Sequence, residues 1–205
     1  GIESPNSRDL TSTRKGTTTR VHRDAVRNIR ENGGGAGGTF VIGLPDQTEE
    51  EIEAFPVYAK EIGLTAAAFG IATPFPGTEF YEELDRQGLI FETNWNNFDE
   101  MHSVYRTKHL SKERIEELAT FCMAKFWNID TFIDRERVFQ KRTQRKTPLI
   151  DFIHKRALDV GFMSNNGMTL QKGNFGQHIK TFLKAYADPR IESYTRKVGI
   201  HNVLE

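Results

Sequence analysis

Between Thr39 and Ile42, four β-favouring or apolar residues stand in an unbroken run, with Gly38 before them and Gly43 after. A short run without polar alternation predicts a buried parallel strand, not a half-exposed one. Pro45 blocks its continuation, and Thr48 with Glu51 has the spacing of a capping box, so a helix is expected at once over 48–62. Its apolar positions Ile52, Phe55, Ala59 and Ile62 recur on one face, and Gly63 is placed to end it. A second apolar run, Ala66 to Ala72, leads into Thr73-Pro74-Phe75-Pro76-Gly77-Thr78. Strand, helix and strand make a βαβ unit, and α/β proteins bind ligands at the carboxyl ends of its parallel strands.

The same patterning organises the flanks. Gly1 to Pro5 reads as the end of a strand turning into a loop. Lys15-Gly16-Thr17 leads into a helix with His22, Ala25, Val26 and Ile29 as its inward stripe, ended by Asn32-Gly33. Gly33 to Gly38 holds five glycines in six residues. It lacks the Lys-Ser/Thr pair of a phosphate loop and precedes a strand, so it reads as a flexible connector. Thr78 opens a helix to about Gln87, stopped by Gly88. Leu89 to Tyr105 has no clean period and reads as an irregular packed segment around Trp95, Phe98, Met101 and Tyr105. Ser111 caps a long helix with Ile115, Leu118, Cys122, Phe126, Ile129 and Ile133 on one stripe. Two further helices are expected, one opened by Pro148 with Ile150, Ile153 and Ala157, and one with Phe175, Ile179, Phe182, Leu183 and Tyr186. The chain thus divides into an α/β region, 1–92, and a helical region, 93–205. Two full strands and a stub cannot cover each other's edges, so the remaining strands are expected from a preceding part of a longer protein.

Composition narrows the classes. The 28 basic and 28 acidic side chains cancel, so no global field argues for nucleic acid. Hydrophobic residues make up 37% of the 205 residues, enough for a core. No run approaches the ~20 apolar residues of a membrane helix. The single cysteine, Cys122, excludes an internal disulfide framework and fits a reducing, cytoplasmic compartment. The 6 histidines show no metal-ligand spacing, so no metal site is expected from this chain. Arg135, Arg137, Lys141, Arg142, Arg145 and Lys146 form a basic run that reads as a solvated helix face, the sharper alternative being peripheral contact with anionic phosphate or membrane headgroups.

In order, Gly1-Ile2-Glu3-Ser4 with Leu10 and Lys15-Gly16-Thr17, Gly38 to Pro45 with Thr48-Glu49-Glu50, Thr73 to Glu79 with Tyr81, Gly88-Leu89-Ile90, and Trp95 with Asp99 resemble the second half of a radical S-adenosylmethionine (SAM) enzyme. The resemblance is nearest to the branch associated with a cobalamin-binding domain and covers about residues 1–127. It implies α/β architecture, the C-terminal part of a partial (β/α)6 TIM-like barrel that keeps the end of the fourth strand, the fifth and the sixth, followed by a helical tail. It implies SAM as cofactor and a [4Fe–4S] cluster whose CxxxCxxC loop is not in this chain; whether cobalamin is also used stays open. The chemistry implied is hydrogen abstraction by a 5′-deoxyadenosyl radical, followed by methyl transfer, cyclisation or oxidation. Phe75, Phe80, Trp95 and Phe98 suggest a bulky apolar substrate, such as a lipid or tetrapyrrole.

By the same resemblance, Glu3 and Ser4 are placed to meet the ribose or amino group of SAM, and Lys15 its methionyl carboxylate. Lys15 reads equally as a solvated lysine at a helix start. Val41, Ile42 and Gly43 would line the adenine side, though Val41 also suits ordinary strand core. The loop from Thr73 and Pro74 to Thr78 would close over adenine or substrate, stiffened by its prolines. Relatives often carry Gly-Glu where this chain has Asp46-Gln47, which questions any turn that needs positive φ at Asp46. Two alternatives remain: a non-catalytic binding or assembly module without its cluster half, and an unrelated α/β enzyme whose loops imitate these motifs.

Overall fold

In a computed structural model that describes residues 1–127 and 129–145, side-chain caps set the first elements. Asn6 accepts from the Arg8 N–H and Thr18 from the Val21 N–H, opening α1 (Ser7–Ser12) and α2 (Thr19–Glu31). Nothing in the apolar pattern had pointed to α1. On α2 only His22 and Val26 are buried, whereas Ala25 and Ile29 of the expected inward stripe face solvent. Of that stripe, Val26 alone joins the main apolar cluster, so the helix meets the core along one row.

Strands β1 (Gly37–Ile42) and β2 (Ala66–Ile71) pair in parallel, from Gly37 opposite Ala66 to Ile42 opposite Ile71. β1 therefore starts inside the glycine run, and the expected flexible connector is partly strand. A Cβ on Gly38 would come within 2.8 Å of Leu64 Cδ1 and 3.0 Å of Ile2 Cγ1, so those side chains would have to shift to admit any other residue there. Glu3 bridges Phe40 in parallel on the other side of β1, which confirms the strand end at the amino terminus. The order across the sheet is stub, β1, β2. Along the outer edge of β2, the Ile71 N–H donates to the Glu100 carbonyl at 2.6 Å, so a loop occupies the place of a further strand there.

The capping box forms as expected, with Thr48 and Glu51 exchanging side-chain and backbone bonds. The expected helix over 48–62 is nevertheless two, α3 (Glu49–Glu53) and α4 (Phe55–Glu61). Pro56 has no N–H to return to the Ile52 carbonyl, and the ladder breaks at Ala54. Both pack on the face of the sheet that carries Phe40, Ile42, Phe69 and Ile71, together with Ile115, Leu118, Cys122 and Phe126 of α6 (Lys112–Phe126). α5 (Glu79–Arg86) and the segment to Tyr105 enclose a second apolar cluster of Leu44, Ala72, Leu84, Phe98, Val104 and Tyr105 at the carboxyl ends of the strands. Trp95, expected to be packed, is 58% exposed and rests on Phe98 at a ring distance of 4.7 Å.

The long helix expected after Ser111 stops at Phe126, and α7 (Ile129–Thr143) starts anew. Trp127 leaves the helical path to donate from Nε1 to the Ala67 carbonyl at 2.9 Å, tying the turn to β2. On α7, Arg137, Lys141 and Arg142 are exposed, and Arg135 lies over the Trp127 ring. Lys146, the helix expected at Pro148 and the one from Phe175 to Tyr186 lie outside the described residues. Among the described residues, no helix is long and apolar enough to cross a membrane.

Candidate functional site

Alternation along the paired strands turns Thr39, Val41, Ala68 and Gly70 away from the helices. The sheet is thus half-open, where the unbroken apolar run had suggested burial on both faces. On that open face lies a cavity of about 1200 Å³, walled by Leu44 and Pro45 after β1, Thr73 and Phe75 after β2, Phe80 and Leu84 of α5, and Met101. It opens at the carboxyl ends of the strands, where the βαβ pattern had pointed.

Glu3, Val41 and Thr73 border this cavity. Glu3 sits at the stub edge with φ of +62°, its backbone accepting from the Val41 N–H and donating to the Thr39 carbonyl. Its carboxylate holds the Lys15 ammonium at 2.6 Å, which brings Lys15 to the same edge. Ser4 is fully buried, donating to Asp9 Oδ2 at 2.8 Å and accepting from the Asn6 N–H at 3.0 Å. Ile42 belongs to the helix-side core, and Gly43 and Pro74 are buried. The structure therefore gathers Glu3, Val41 and Thr73 at one cavity, while Lys15 does not line it and is tied to it only through Glu3. Ser4, Ile42, Gly43 and Pro74 do not line it, and shape its loops from behind.

Those loops are held by a buried polar network. Gln47 is fully buried, and its Oε1 accepts from the N–H groups of Gly43 at 2.8 Å and Leu44 at 3.1 Å. Its amide donates to Asp9 Oδ2 at 2.8 Å, and Asp9, 3% exposed, also holds Ser4. Every strong partner of this glutamine is used, so the turn after β1 is fixed. Asp46 has no positive φ. The left-handed residue of the turn is Gly43, at +79°, where an added Cβ would also press on Ile115. The doubt raised by Asp46 in place of glycine thus falls away. Tyr105, 2% exposed, donates its hydroxyl to the Gly43 carbonyl at 2.5 Å, and burial pushes its pKa up. Sequence reading missed Gln47, Asp9 and Tyr105, because nothing in local spacing shows three distant residues meeting at one turn.

Glu51 joins the capping box to α1, accepting from Asn6 Nδ2 and from Arg8, each at 2.8 Å. Burial raises its carboxyl pKa, but the Thr48 N–H, Arg8 and Asn6 outweigh that and hold it below the usual carboxylate range. Among the described residues no three His, Cys, Asp or Glu side chains are placed to hold a metal ion. Cys122 is fully buried and its thiol pKa is pushed up by desolvation, the opposite of what a thiolate ligand needs. A [4Fe–4S] cluster does not fit these residues.

No family model matches the sequence. An uncharacterized methyltransferase of Pyrococcus horikoshii is 39% identical over 118 residues, which are 58% of this chain and 26% of that protein. The bacteriochlorophyllide d C-12(1)-methyltransferase of Chlorobaculum tepidum is 29% identical over 118 residues, 57% of this chain and 25% of the relative. The chain is similar to methyltransferases. A further relative is the anaerobic magnesium-protoporphyrin IX monomethyl ester cyclase of Rubrivivax gelatinosus, 26% identical over 98 residues, 48% of this chain and 18% of its length. The chain spans about a quarter or less of the length of these relatives.

Proposed function

We propose that the chain forms one wall of the SAM pocket in a methyltransferase of the radical SAM kind, its stub, β1 and β2 being the last strands of a partial (β/α)6 barrel. The observation that carries this is the half-open parallel sheet. One face is sealed by α3, α4 and α6, and the other is lined by small residues under a large cavity at the strand ends, with Glu3 at its edge and Lys15 paired to Glu3. With β2 closed off by the Glu100 loop, the sheet can grow only on the stub side, where the first strands of a barrel would stand.

The residues fit SAM. Lys15, 39% exposed, can give the methionyl carboxylate a charge-assisted bond while Glu3 faces an amino or hydroxyl group. Val41, Ala68 and Gly70 leave a flat floor for the adenine ring. Bound SAM supplies the reactive fragment; the chain orients it and keeps water from it. Cluster and cobalamin, which the resemblance attaches to this branch, would belong to other parts of the full-length protein. The wall of Phe75, Phe80, Leu84, Leu89 and Met101 suits a bulky apolar substrate, and a tetrapyrrole-like macrocycle is the class that the bacteriochlorophyllide and protoporphyrin relatives favour.

The test is calorimetric titration of the full-length protein with SAM. Lys15→Ala removes a contact of ~1.5–3 kcal/mol, so affinity should drop roughly ten- to a hundredfold. Glu3→Ala should act in the same direction, and the visible absorption of the cluster should be unchanged in both. Unaltered affinity in both variants would return Glu3 and Lys15 to a plain surface pair and refute the assignment.

A further inference from the structure

Across the floor from Glu3, a second glutamate stands in the same unusual state. Glu100 has φ of +64°, a left-handed conformation that crowds any residue carrying a Cβ. Two bonds hold it there: its carbonyl accepts from the Ile71 N–H at 2.6 Å, and its N–H donates to Thr73 Oγ1 at 3.1 Å. Thr73 is itself anchored to the Ile71 carbonyl at 3.0 Å. The neighbouring turn closes without Glu100, since Asp99 accepts from the N–H groups of Met101 and His102.

The strain has a consequence for the side chain. Glu100 borders the cavity and lies across Gly70, its Oε2 3.5 Å from where a Cβ on Gly70 would stand. Its carboxylate has no hydrogen-bond or ionic partner among the described residues. Backbone strain held by surrounding bonds is a feature of functional positions, where it fixes the direction of a group. Here it fixes the direction in which the exposed Glu100 side chain leaves the backbone, over Gly70, where the floor has no side chain to obstruct it.

The geometry points to Glu100 as a ligand-binding residue, an acceptor for the donor groups of the nucleoside portion of SAM. This rests on the SAM reading above. Three inter-strand spacings separate the stub edge from the Glu100 segment, roughly 14 Å. A ligand whose carboxylate is held by Lys15 must extend its nucleoside across Val41, Ala68 and Gly70 toward β2. The nucleoside carries an amino group and two ribose hydroxyls, all donors. At the far edge Glu100 is a carboxylate positioned to receive them.

Glu100→Gly separates this role from a structural one, because glycine adopts positive φ freely. In the full-length protein its melting temperature should equal or exceed that of the wild type. Its affinity for both SAM and 5′-deoxyadenosine, titrated calorimetrically, should fall at least tenfold. Glu100→Gln keeps length and shape but not charge, and should lose at least threefold for both ligands. Lys15→Ala should lose affinity for SAM alone, since 5′-deoxyadenosine has no methionyl carboxylate. Unchanged affinity of both Glu100 variants for 5′-deoxyadenosine, with SAM still bound by the wild type, would overturn the assignment of Glu100. Absence of SAM binding by the wild type would overturn the underlying reading as well.

Discussion

Replacing Gln47 by Glu exchanges one atom at the centre of the buried network. Oε1 would still accept from Gly43 and Leu44, but an oxygen would replace the amide nitrogen 2.8 Å from Asp9 Oδ2. Two carboxylates at that distance repel by about 6 kcal/mol at an effective dielectric of ~20. Arg8 offsets part of this from the Oδ1 side, but its side chain is 48% exposed and screened by solvent. The pair therefore keeps one proton in the folded state, while the unfolded chain loses it near pH ~4.3. The folded state then binds more protons than the unfolded one, so stability falls as pH rises, by about 1.4 kcal/mol per unit. Near pH 4.5 the carboxyl O–H can stand in for the amide donor, and the loss should be below ~1 kcal/mol. At pH 7 it should reach about 3–4 kcal/mol. Urea unfolding of wild type and variant at pH 5, 6, 7 and 8 reads the difference directly. Gln47→Leu is the control, with a loss that does not vary with pH. A flat difference for Gln47→Glu would show that Gln47 and Asp9 do not share one dry site, and the network would be wrong.

Two other residues give independent tests. Tyr105→Phe leaves the Gly43 carbonyl without its buried donor and should cost about 1–3 kcal/mol by urea unfolding, together with weaker SAM binding as the turn loosens. No change in either measurement would count against the Tyr105–Gly43 bond. His22 is 6% exposed with no hydrogen-bond partner for either ring nitrogen among the described residues, and desolvation first, then the terminal amine and Lys15 against Glu3, lowers its pKa. The unfolded chain thus takes up the proton more readily, and stability should drop as pH falls below ~6.5. His22→Leu should remove that slope between pH 5 and 7; a slope that survives it would assign the effect to other groups.

The elements were legible where a single residue carries a backbone constraint. Thr48 with Glu51, Thr78 and Ser111 cap helices as their spacing foretold, because capping is a contact between near neighbours in sequence. The strand cores at Thr39–Ile42 and Ala66–Ile71 and their parallel pairing followed from apolar runs joined by a helix. Breaks within helices were less visible. Pro56 was in view but the apolar stripe overrode it, and the end of α6 depends on Trp127 finding a carbonyl of β2, a partner 60 residues away.

For the site, the sequence by itself pointed to the carboxyl ends of the strands, and the resemblance brought Glu3, Ser4, Lys15, Val41, Ile42, Gly43, Thr73 and Pro74 into consideration. Only the tertiary structure decided which of them face the cavity. One residue of register turns Val41 to the open face and Ile42 to the core, and no local pattern distinguishes them when both faces carry apolar or small residues. Likewise Ser4 is committed to Asp9 and Gln47 to the Gly43 turn because burial leaves polar groups no water to bond with, so they bond to whatever the fold brings near. Glu100 is the extreme case. Its left-handed backbone and its place over Gly70 are imposed by the edge of β2, a constraint absent from its own sequence neighbourhood.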